Sequence, residues 1–138
     1  MTALFDGRTA AEHAEAAAAA VRAINHITGW PAGLSYPCDA YAVVERLAAV
    51  AAMLPQACKQ ITRTLARWHA AEQIGIDRGT KWAGNPAGAV LAARAGLACA
   101  GVTAQQLYAA LHEAAEAVAY GHYTGPDPDD AARGVGAG

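Results

Sequence analysis

The sequence predicts an all-α protein, an up-and-down helical bundle with one long helix kinked near Pro55. Three observations lead there. Hydrophobic residues make up 54% of the 138, and most of them are alanine, with one Phe, two Met and three Trp. Alanine has the best helix propensity of the ordinary residues and is depleted from strands, so this composition favours helices wherever both are possible. Between Val43 and Trp68 apolar residues recur at spacings of three and four, the helical period, and the long apolar segments are joined by Gly/Pro-rich connections.

The first helix is expected from Thr9 to Thr28, closed by Gly29 and Pro31. Its larger apolar residues are Val21, Ile24 and Ile27, and alanines 14, 17 and 18 extend that face toward the N-terminus. Residues 29–38, GWPAGLSYPC, read as an ordered connection in which Trp30, Leu34 and Tyr36 cover the bundle end. Ser35 or Asp39 is placed to cap the next helix.

The longest pattern follows. Val43, Leu47, Val50, Leu54, Cys58, Ile61, Leu65 and Trp68 keep helical phase, and a helix of about 36 residues is about 54 Å long. Pro55 interrupts it. A proline inside a helix removes one hydrogen bond and clashes with the carbonyl four residues back, at about 3 kcal/mol. A new helix starting at Pro55 would need Leu54 as its cap, a poor one, and would not require the stripe to stay in phase; the reading is therefore one kinked helix. Residues 75–86 form the second connection, ending in Asn85 as cap and Pro86 at the first helical position. A fourth segment with Val90 and Leu97 is expected to stop at Gly101. Thr103 and Gln106 match a capping box that opens a last helix with Leu107, Leu111, Ala114 and Val118 on one face. Residues 1–123 are read as a single domain. The tail 124–138, acidic and glycine-rich, has too little apolar surface to offset ordering and is expected to be disordered.

The formal charge of −2 is too small to imply a nucleic-acid coat or an acidic partner from bulk electrostatics. Cys38, Cys58 and Cys99 form an odd set without CxxC spacing, which argues against a disulfide scaffold or a zinc knuckle. The alanine run at 16–20 is flanked by charges and is no signal-peptide core. No apolar stretch approaches the ~20 residues of a membrane helix, so a cytoplasmic protein without membrane attachment is expected.

Local charge is more informative. Lys59, Arg63 and Arg67 recur at i, i+4 and i+8 as a basic ridge, and Arg78 and Lys81 follow in the loop beside Trp82. Phosphates of a nucleic acid fit such a ridge, and so does a plain solvated face. Two E-x-x-E pairs, Glu12 with Glu15 and Glu113 with Glu116, each share a helix face and suggest a metal-dependent all-α nucleotide pyrophosphatase. In those enzymes, however, the acidic motifs lie on successive core helices, and here they stand at opposite ends of the chain. None of His13, His26, His69, His112 and His122 has a Glu three residues before it, which disfavours a di-iron bundle. Residues 96–112 have the outline of a helix-turn-helix, but the recognition segment lacks Lys and Arg and runs into Glu113 and Glu116. No catalytic set and no cofactor motif can be nominated.

W-P before a long helix carrying L-P-Q-A-C, then an N-P loop and an alanine-rich helical pair, resembles small alanine-rich all-α proteins encoded by high-GC actinobacterial plasmids and phages. The resemblance covers residues 30–121, rests on texture, and implies a mobile-element setting without an activity. The leading expectation is a non-catalytic interaction module that pairs with itself or another protein through Val43, Leu47, Val50, Leu54, Ile61, Leu65 and Trp68. A homodimer is the simplest form.

Overall fold

A computed structural model of the chain describes residues 6–127. It is all-α. Three helices, α1 (Ala10–Thr28), α2 (Pro37–Ala70) and α3 (Pro86–Val118), and one 3₁₀ turn at Pro31–Gly33 account for its regular structure, with no strand among the described residues. Contacts divide these residues into two compact units, 6–39 with 122–127, and Ala40–Gly121.

In the first unit, α1 opens on a full capping box. Thr9 accepts from the Glu12 backbone N–H, and the Glu12 carboxylate accepts from the Thr9 N–H at 2.6 Å and from its hydroxyl at 2.9 Å. Gly29 closes the helix as expected, donating its N–H to the Asn25 carbonyl. The turn that follows comes so close to α1 that a Cβ on Gly33 would run into the Ile27 carbonyl. Trp30 is exposed rather than covering a bundle end, and its ring meets His26 edge-on. Tyr36 does pack, meeting Tyr123 edge-on at 5.9 Å, while its hydroxyl bonds Asp127 at 3.2 Å. Of the expected tail, residues 124–127 hold no helix or strand, and residues 128–138 lie outside the described residues. Of the two candidate caps for α2 it is Asp39 that serves, accepting from the Tyr36 N–H at 3.0 Å.

The second unit is an antiparallel hairpin of α2 and α3. A single helix runs through Pro55, as the unbroken phase of the stripe requires. It ends at Ala70 in a Schellman turn, with Gln73 donating to the Trp68 carbonyl and Glu72 to that of His69. Glu72 takes the left-handed conformation there, at φ 56°. Asn85 caps α3 as expected, accepting from the Gly88 N–H at 3.0 Å, with Pro86 in the first turn.

Two sequence expectations fail in α3. The helix does not stop at Gly101, and Thr103 opens no new one. Gly101 lies inside the helix because it faces Pro55 of α2, where a Cβ would stand 3.8 Å from the Pro55 Cα. It is an ordinary helical residue there, with room for a methyl group, and makes no left-handed cap. The Thr103 hydroxyl turns back to the Cys99 carbonyl at 3.0 Å, a mid-helix bond that replaces the capping role.

The expected seam is also displaced. The buried residues of the hairpin are Ala48 and Ala51 on α2 and Val90, Ala104 and Ala115 on α3. Around them Val44, Pro55, Cys58, Thr62 and Leu65 are half-buried on α2, as are Leu97, Gly101, Leu111 and Val118 on α3. The face of α2 that meets α3 thus runs 44, 48, 51, 55, 58, 62, 65. The stripe of larger residues from Val43 to Trp68 shares Cys58 and Leu65 with that face and otherwise lies one position back, about 100° round the helix. Small side chains let two backbones approach closely, so alanine rather than leucine lines the contact.

The uninterrupted α3 also bears on the expectation that no apolar stretch approaches the length of a membrane helix. It carries no Asp, Glu, Lys or Arg between Arg94 and Glu113, and it is long and apolar enough, by length and composition, to cross a membrane. Much of that apolarity is alanine.

Candidate functional site

The one-position offset gives the α2–α3 hairpin two unlike flanks. On one, the stripe is only partly covered. Val43, Leu47 and Leu65 are half-buried, whereas Val50 and Leu54 are each 42% exposed, Trp68 44% and Ile61 50%. Helical spacing places Leu107 of α3, itself 47% exposed, on the same flank. Scattered exposed apolar residues are ordinary, but a contiguous row on one flank marks a surface that associates.

The opposite flank carries a groove between the helices. One hollow, of about 330 Å³, has an apolar floor of Pro55, Cys58, Leu97, Gly101 and Val102, with Lys59, Thr62, Arg63 and Gln105 above it. It adjoins a larger, more polar hollow of about 680 Å³ that shares Pro55, Lys59, Arg63 and Gln105 and adds Gln56, Gln60 and Tyr108. No carboxylate lines either hollow. Lys59 and Arg63 make no ion pair among the described residues. The spacing of four residues turns both cations to this flank.

Of the five cations singled out in the sequence, three on the ridge and two in the loop, the structure brings Lys59 and Arg63 together at these hollows. Arg67 is exposed one turn further on and lines neither hollow. Arg78 and Lys81 lie in the connection after α2, with the Lys81 ammonium 5.1 Å from the centre of the Trp82 ring. Sequence reasoning missed Gln56 and Gln60, although their i, i+4 spacing beside the ridge was a usable signal. It also missed Gln105 and Tyr108, because their approach depends on the pairing of α2 with an unbroken α3.

The carboxylate pairs take other roles. Glu12 is engaged in the α1 cap, and its two bonds from Thr9 hold its carboxyl below the ordinary value of 4.5. Glu116 lies 3.5 Å from the His112 Nε2. Among the described residues no group of three or more His, Cys, Asp or Glu is placed to hold a metal ion. Cys38 and Cys99 are exposed free thiols, and Cys58 is half-buried in the groove floor.

Compared with known protein families, curated proteins and solved structures, the chain matches none.

Proposed function

We propose that this chain is a non-catalytic helical interaction module that associates with a second copy of itself through the apolar flank of α2, in the mobile-element setting its sequence texture suggests. One observation carries the reading: Val50, Leu54, Ile61 and Trp68 lie along one side of α2, between 42% and 50% exposed, beside a hairpin core of four alanines and one valine. Burying apolar area stabilises by about 25 cal/mol per Å². An alanine seam offers little such area, so the larger side chains are the main reserve of hydrophobic free energy in the hairpin. A symmetric dimer lays the same stripe against itself and covers both copies at once.

Light scattering coupled to size exclusion tests it. The expected mass at micromolar concentration is about twice the 14.1 kDa of one chain, and Leu54→Gln with Ile61→Gln should return it to one. A wild-type mass of a single chain sinks the reading.

A further inference from the structure

The groove on the other flank of the hairpin is a second surface that the apolar flank does not use. Its composition is specific. Hydrocarbon lines it from Pro55, Leu97, Val102 and the bare backbone at Gly101. Two cations, Lys59 and Arg63, line it without carboxylate partners among the described residues, as do Gln56, Gln60, Gln105 and Tyr108. Ligand sites are usually mostly apolar hollows of about 300–1,000 Å³ with a few polar groups that fix orientation, and both hollows fall in that range.

We propose that this groove binds a small organic anion, a phosphate or carboxylate head on a hydrocarbon body. The body lies on the Pro55, Leu97 and Val102 floor, and the head is held by Lys59 and Arg63 in charge-assisted hydrogen bonds. Charge complementarity selects the occupant: a neutral apolar ligand leaves both cations unused, and a bare inorganic anion leaves the floor empty. A nucleic acid fits less well. Single strands are held by successive aromatic platforms along a basic groove, and this one offers Tyr108 alone.

The test uses the full chain at low ionic strength with octyl phosphate as the probe, followed by calorimetry. Octanol, inorganic phosphate and a short oligothymidylate are run beside it. Octyl phosphate should bind in the micromolar to millimolar range and the other three should not. Bound probe should slow alkylation of Cys58 while leaving Cys38 and Cys99 unprotected. Lys59→Gln with Arg63→Gln should weaken binding by about tenfold or more. Should that variant lose helix content, Val102→Glu provides the same test, since it puts a carboxylate into the groove from an exposed position. The proposal is overturned by octanol binding as well as octyl phosphate, by affinity that ignores the charge changes, by absence of binding or of Cys58 shielding, or by oligothymidylate binding in place of octyl phosphate. The dimer reading is scored separately by mass, so either can fail alone.

Discussion

Gly101 of α3 lies against the Pro55 ring of α2, and a Cβ there would stand 3.8 Å from the Pro55 Cα and 4.0 Å from its Cβ. Both distances are ordinary contact, so the position has room for one methyl group. Gly101→Ala is therefore expected to raise stability by about 0.5–1 kcal/mol, the usual gain for removing a glycine from a helix interior. Urea unfolding followed by circular dichroism reads it. The comparison is Gly33→Ala, where the added carbon meets the Ile27 carbonyl and stability should fall.

The alanine seam should resist enlargement. Ala51 is 1% exposed, and a leucine in its place would wedge α2 from α3 at a cost of about 1–3 kcal/mol. Met53, two residues on and exposed, should accept leucine with no measurable change. Equal melting temperatures for the two variants would mean that Ala51 is not in the contact.

Glu72 occupies the left-handed position of a Schellman turn at φ 56°, a place glycine fills without steric strain. Glu72→Gly should stabilise the end of α2 by about 1 kcal/mol, and thermal unfolding is the measurement. A lower midpoint would show that the carboxylate makes up for the strain.

The cap of α1 should be sensitive to acid. Bonds from the Thr9 N–H and hydroxyl lower the Glu12 carboxyl from its ordinary 4.5. A carboxyl with a lowered folded value contributes its stability above the unfolded value and loses it as pH falls through the folded one. Carbon-detected NMR should find Glu12 titrating below 4.5, with faster exchange of the Thr9 amide as it protonates. A midpoint at the ordinary value refutes the cap in solution.

These residues also mark what could be read from the sequence. Gly29, Asn85 with Pro86, and the unbroken phase across Pro55 were legible because each acts locally, through its own backbone or that of the next turn. Gly101 and Thr103 misled for the same reason. Locally they are a stop and a cap, and only the opposing Pro55 makes the glycine a contact. The stripe from Val43 to Trp68 was found correctly as a helical face, yet residue size was the wrong guide to which face meets α3. Closeness favours alanine, and the register depends on both helices at once. In the groove, Lys59 and Arg63 were legible as a ridge, while Gln105 and Tyr108 come from 40 or more residues away.

Because the alanine contact on α2 is narrow, Leu54 and Lys59, little more than one turn apart, serve opposite sides of the hairpin. One rod thus presents a greasy edge and a cationic edge that share only Cys58. Evolution can retune either without disturbing the other.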